Sequence, residues 1–281
     1  MKPPLRKGVY LLPNLFTTAG LMCGFYSAVA TIEGEYRIAA IAILVALIFD
    51  ALDGRIARMT KTSSRFGAEY DSLSDLVAFG VAPGLLVYRW ALDAWQAWGW
   101  LAAASYVVCG ALRLARFNVQ IGVVDKQSFV GLPIPAAAAV IATTTIMYYY
   151  LGGAAANSKH VTVLLLIYLL AGLMISTFRY ASFKDLKIRD RQPFGLLIAA
   201  IVLLQLTIAR PHIMLFFLAA AYSFSGPIGS CLRLLRRIAV RTRPVVDDGP
   251  VSIVPRDVEG RGANAQRASG PSIDNEKKGS V

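Results

Sequence analysis

Asp50, Asp53, Asp71 and Asp75 stand in two short stretches of an otherwise apolar region. The first reads Phe49-Asp50-Ala51-Leu52-Asp53-Gly54-Arg55-Ile56-Ala57-Arg58; the second reads Arg65-Phe66-Gly67-Ala68-Glu69-Tyr70-Asp71-Ser72-Leu73-Ser74-Asp75. On a helix, Asp50, Asp53, Gly54, Ala57 and Arg58 share one face, and so do Gly67, Asp71, Asp75 and Ala78. Carboxylates gathered in this way repel one another, and each ionised group within hydrocarbon costs at least about 2–3 kcal/mol. The cluster is tolerable if it is protonated, paired with bases, or bound to cations. Arg55, Arg58 and Arg65 are the bases near in sequence, too few for full pairing. All-oxygen ligation suits Mg²⁺ or Mn²⁺ rather than Zn²⁺. Gly54, Ala57 and Gly67 leave room for a ligand to approach the backbone. The pattern therefore points to a divalent-metal site that receives a phosphate-containing substrate. Snorkelling or loop carboxylates satisfied by arginines would explain one Asp at a helix end, but poorly explain four in facial register.

Helices must hold these residues, and the composition says where the helices run. The chain has 281 residues, 56% hydrophobic and 16% charged, with a mean hydropathy of +0.54. An average soluble domain carries about 25% charged residues, so a cytosolic enzyme and a fully disordered chain are excluded. About eight apolar runs have the length of a membrane span. They cover Tyr10–Ile32, Arg37–Arg58, Ala68–Trp90, Trp95–Arg116, Leu132–Leu151, Val161–Phe178, Pro193–Ala209 and Ile213–Leu235. The expected fold is an all-α, polytopic membrane helix bundle. The first run is too long for a signal-peptide core and reads as a retained span.

Charge sets the orientation. With the N-terminus inside, one side collects Lys2, Arg6, Lys7, Arg55, Arg58, Lys61, Arg65, Arg113, Arg116 and Lys126, followed by the basic residues of 179–191 and 233–243. The other side holds Arg37, Arg89, Lys159 and Arg210. Both termini are then cytoplasmic, and the aspartates lie towards the cytoplasmic ends of their spans. The net charge of +12 becomes a topology signal and a surface for anionic membrane lipids, and a nucleic-acid partner is not expected. Three domain segments follow: a juxtamembrane stretch 1–9, a transmembrane domain 10–235, and a cytoplasmic tail 236–281, basic and then disordered for want of apolar residues. Three cysteines and two histidines give neither a disulfide framework nor a histidine-built metal centre.

The pattern Asp50-x2-Asp53-Gly54-x2-Ala57-Arg58-x8-Gly67-x3-Asp71-x3-Asp75 resembles the signature of the CDP-alcohol phosphatidyltransferase family at every signature position. Arg113-Leu114-Ala115-Arg116-Phe117-Asn118 and Phe129-Val130-Gly131-Leu132-Pro133-Ile134-Pro135-Ala136 look like its serine-accepting branch, and Leu12-Pro13-Asn14-Leu15-Phe16-Thr17 resembles its first span. The resemblance covers roughly residues 8–235. It implies transfer of a phosphatidyl group from CDP-diacylglycerol to L-serine by a homodimer in the membrane, most simply a bacterial inner membrane. It also implies residue roles. Asp50, Asp53 and Asp71 would ligate a first metal ion, with Asp50, Asp71 and Asp75 available to a second. Gly54, Arg58 and Ser64 would contact the CDP-diacylglycerol headgroup, Ala57 and Gly67 would leave space for the nucleotide, and Asn14 and Thr17 would close its pocket. Asp75 would be the general base.

Weaker signals carry alternatives. Arg113 and Arg116 are suited to a serine carboxylate or a substrate phosphate, or simply to anchoring. Arg116 is slightly favoured because it sits nearer the membrane surface, and Lys126 has a lesser claim. Gly20-x3-Gly24 and Gly80-x3-Gly84 permit close helix packing, within the chain more readily than between chains. Glu69 reads as an exposed helix-start acid. Two other functions compete: transfer to another acceptor, such as glycerol 3-phosphate or an inositol phosphate, and a transporter with intramembrane acids. Transporter sites favour the bilayer midplane and inverted repeats, and no repeat is visible here.

Overall fold

The computed structural model describes residues 11–60, 64–120, 129–153, 160–180 and 193–241. Within them the apolar runs form eight helical rods. They begin with α1 (Leu11–Ile32) and α2 (Tyr36–Thr60). The third rod, Arg65–Trp95, is composite: α3 (Arg65–Asp75), a wide π-helical turn (Leu76–Val81), α4 (Ala82–Val87), a second wide turn (Tyr88–Leu92) and a 3₁₀ turn (Asp93–Trp95). Then come α5 (Ala97–Gln120), α6 (Ile134–Tyr150), α7 (Val161–Ile175), α8 (Pro193–Ala209) and α9 (Pro211–Arg241). Each expected span coincides with one rod, with ends displaced by a few residues. Segment 1–9, most of the tail and Lys126 lie outside the described residues.

The segments Pro13–Ile32, Arg65–Trp95, Ala97–Val119 and Pro211–Ser230 are long and apolar enough to cross a membrane, and α6 and α7 are shorter apolar helices. Helix α2 has the length, but its apolar run is interrupted by Asp50, Asp53 and Arg55. Many large apolar side chains remain exposed on the rods, among them Met22, Phe25, Leu165, Leu204 and Phe217. A water-facing surface does not carry such continuous apolar area, whereas a lipid-facing one requires it. The protein is an integral membrane protein.

Small residues let the rods that carry the acids approach closely. Ala39, Ala40, Ala42 and Ala46 are buried on α2, and α1 packs along that helix. Gly20 faces Phe49 and the Ala46 carbonyl, while a Cβ at Gly24 would stand 2.5 Å from Ala78 Cα in the first wide turn. Gly84 meets Val107 in the same way, at 2.8 Å. Both glycine pairs thus include a contact made within the chain. Behind them, Phe79, Leu86, Tyr106, Ile134, Ile141, Ile167 and Met174 form a continuous core.

The Gly-Leu-Pro stretch has a structural role of its own. Phe129–Val130 pairs antiparallel with Arg179–Tyr180, the Gly131 N–H donates to the Phe178 carbonyl (2.9 Å), and the Leu132 N–H donates to the Leu173 carbonyl (3.0 Å). Gly131 has φ +84°, and a Cβ there would lie 2.5 Å from the Met174 carbonyl oxygen. Only glycine fits on both counts. The segment therefore fastens the start of α6 to the end of α7.

Candidate active site

Three helices build the site. Helix α2 contributes Asp50 and Asp53, α3 contributes Asp71, and carboxylate oxygens of these three lie within 4.8 Å of one another. Asp53 is buried and the other two are half-buried. Asp75, one turn beyond Asp71, lines the same cleft, together with Thr17 and Gly20 of α1, Ala46, Ser74, Ala78 and Phe79. Among the described residues, Arg55, Arg58 and Arg65 form no salt bridge with these aspartates, while Arg89 pairs with Asp93 at the far end of the third rod. Pairing with these three sequence-adjacent arginines therefore does not account for the cluster. Three converging carboxylates of hard oxygen, one of them buried, fit a divalent cation of the Mg²⁺ or Mn²⁺ kind.

Helix α1 locks the other two in place. Thr17 Oγ1 donates to Asp53 Oδ2 at 2.9 Å and also lies 3.2 Å from the Pro13 carbonyl. The Thr17 carbonyl accepts from Ser74 Oγ of α3 at 3.1 Å. One residue of α1 thereby bridges the two acidic helices. A turn away, the Thr18 and Tyr70 hydroxyls are hydrogen-bonded at 2.9 Å, a second α1–α3 tie.

At the start of the helix that carries Asp71, Ser64 caps α3, its Oγ accepting from the Gly67 N–H at 2.9 Å. A Cβ on Gly67 would stand 3.1 Å from Ser64 Oγ and 3.4 Å from Asn14 Oδ1, so the structure brings Asn14, Ser64 and Gly67 together. Gly67 is tight against its own neighbours. Gly54 differs: nothing lies within 4 Å of a Cβ built there. Ala57 is half-buried and Arg58 exposed on the following turns of α2.

Residues 10–175 match the CDP-alcohol phosphatidyltransferase family. The chain belongs to that family. It is similar to the CDP-diacylglycerol–serine O-phosphatidyltransferase of Helicobacter pylori (strain ATCC 700392 / 26695), with 38% identity over 203 residues, 72% of this chain and 84% of the relative. It is 40% identical over 142 residues to the Mycobacterium tuberculosis (strain ATCC 25618 / H37Rv) protein of the same name, 48% of this chain and 49% of the relative. An archaetidylserine synthase of Methanothermobacter thermautotrophicus is 42% identical over 128 residues, 45% of this chain and 54% of the relative.

Asp75 has a basic neighbour on α5. Arg113, half-buried on α5, is close enough for its charge to act on Asp75 and on Tyr222 of α9. Arg116 is exposed. Glu69 is exposed, as expected. Asn118, from the Arg-Phe-Asn stretch, donates to Ser72 Oγ at 3.0 Å and ties α5 to α3 beside Asp71. Ser74, Tyr70, Tyr106 and Tyr222 carry no motif signal of their own. Ser74 lay inside the signature without being a signature position; the tyrosines looked like ordinary span residues.

Proposed function

We propose that the protein transfers the phosphatidyl group of CDP-diacylglycerol to the hydroxyl of L-serine, giving phosphatidylserine and CMP. The observation that carries the reading is the single cleft shared by the Asp50–Asp53–Asp71 group and Asp75, in a chain whose relatives are named for serine transfer. Asp50, Asp53 and Asp71 would hold one Mg²⁺ or Mn²⁺ ion, and Asp50, Asp71 and Asp75 are the groups available to a second. When bound, such an ion neutralises charge on the pyrophosphate and on departing CMP and makes the attacked phosphorus more electrophilic.

The chain's own groups do the rest. Gly54 leaves the α2 backbone open to the headgroup, with Ala57, Arg58 and Ser64 beyond it. Asn14, Thr17 and Gly67 border the nucleotide. Asp75 accepts the proton of the serine hydroxyl as its oxygen bonds to the lipid-bearing phosphorus and the bond to CMP breaks. Arg113 holds the serine carboxylate near Asp75, with Arg116 and Lys126 as further basic groups on that side. The distribution of Lys and Arg supports a cytoplasmic site, in a bacterial inner membrane, with anionic lipids against the basic face. A homodimer is part of the same reading.

The test is CMP release by the purified protein with CDP-diacylglycerol and Mg²⁺ or Mn²⁺, run in parallel with L-serine, glycerol 3-phosphate and an inositol phosphate. Release with serine alone supports the reading. Release with a phosphorylated acceptor instead replaces serine as the acceptor, and no release with any of them sinks the transfer.

A further inference from the structure

The rod that carries Asp71 and Asp75 does not continue as a regular α-helix. It widens over Leu76–Val81, directly after Asp75, and resumes at Ala82. Pro83 follows, and proline has no N–H, so the carbonyl four residues earlier, that of Phe79, loses its α-helical donor. A donor arrives from another helix. The hydroxyl of Tyr106, on α5, donates to the Phe79 carbonyl at 2.8 Å, and Tyr106 is completely buried. On α1, Gly24 rests against Ala78 so closely that a Cβ would meet its backbone at 2.5 Å. The wide turn is gripped by two helices, and its residues Ala78 and Phe79 line the same cleft as Asp75. Wide turns of this kind are frequent at functional sites, where they reset the register of a helix.

We propose that Tyr106 is a positioning residue for the transfer reaction. By holding the Phe79 carbonyl it keeps the turn wide, and the wide turn places the Asp75 carboxylate against the three-aspartate group. Tyr106 touches neither substrate nor metal; it acts through Asp75. The inference rests on the phosphatidyl-transfer reading and adds to it what keeps the proton acceptor in place. A tyrosine that merely filled the core would serve as well without its hydroxyl.

Tyr106→Phe separates the two, because it keeps the ring and removes the donor. Wild type and variant are compared for kcat, for KM towards CDP-diacylglycerol, for Mn²⁺ binding by electron paramagnetic resonance, and for thermal melting in detergent. The variant is expected to lose kcat by about tenfold per folded molecule, while KM for CDP-diacylglycerol and Mn²⁺ affinity stay within about twofold. A variant with wild-type kcat overturns the inference and leaves the transfer reading intact. So does one that loses folded yield, lipid affinity and metal affinity together, since that is the signature of a structural role. A wild type that transfers nothing overturns the transfer reading, and this inference with it.

Discussion

The Thr17 hydroxyl of α1 donates to Asp53 Oδ2 of α2 at 2.9 Å. Asp53 is the buried member of the three-aspartate group, and this bond orients its carboxylate. The Thr17 carbonyl, through Ser74, does the same for the helix carrying Asp71 and Asp75. A residue that contributes no charge thus holds both halves of the acidic cleft.

Thr17→Val keeps the shape and removes the donor. Loss of an outer-shell partner to a metal-ligating carboxylate typically weakens metal affinity or activity by about 10–100-fold. The variant should need correspondingly more Mg²⁺ or Mn²⁺ for half-maximal CMP release, with little change in KM for serine. A metal titration of wild type and variant reads this directly; superimposable curves would remove Thr17 from the metal site.

Gly54→Ala probes the open space on the same helix. Nothing lies within 4 Å of the added methyl, and alanine favours a helix over glycine by about 1 kcal/mol. The melting temperature should hold or rise. If the space is reserved for the lipid headgroup, KM for CDP-diacylglycerol rises by about tenfold, equivalent to a modest overpacking penalty. Unchanged KM would mean that the headgroup lies elsewhere.

The eight rods were legible because hydrocarbon permits few alternatives: every span must satisfy its backbone internally and present apolar side chains outwards. The acidic site was legible for the opposite reason. Asp50, Asp53, Asp71 and Asp75 are costly where they stand, so their spacing had to mean something. The bonds that arrange the site were not legible. Thr17–Asp53 and Tyr106–Phe79 join residues on different helices, and helical periodicity carries no information about which helix lies beside which. Pro83 announces a missing N–H, but only the packed bundle shows that Tyr106 supplies the replacement. Gly20 and Gly24 likewise signalled close approach without naming the partner, which at Gly24 is Ala78.

Asp75→Asn should nearly abolish turnover. A positioned general base contributes roughly 10²–10⁴-fold, and the amide cannot accept the proton. Nucleotide binding should survive, because Asn14, Gly54 and Gly67 are untouched. Equilibrium binding of CDP-diacylglycerol beside a single-turnover assay separates the two effects. Near-normal turnover in this variant would show that another group takes the proton.

Arg113 and Arg116 make a matched pair. Arg113→Ala removes the charge that reaches Asp75, and a hydrogen bond to a charged group is worth about 1.5–3 kcal/mol. KM for serine should rise by roughly 10–100-fold on that scale, with KM for CDP-diacylglycerol little changed. Arg116→Ala, at an exposed position, should stay within about twofold. A larger loss from Arg116→Ala would reverse the assignment of the serine carboxylate.

If the aspartate group uses a divalent cation to move a phosphatidyl group onto serine, both products of the transfer depend on that cation. The most direct measurement follows labelled serine into phosphatidylserine, together with CMP release, as purified protein and CDP-diacylglycerol are treated with EDTA and then given Mg²⁺ or Mn²⁺. Lipid product and CMP should appear in equal amounts, stop together on chelation, and return together when either ion is restored. Label entering lipid at an undiminished rate in EDTA, or CMP appearing without labelled lipid, would contradict cation-dependent transfer to serine.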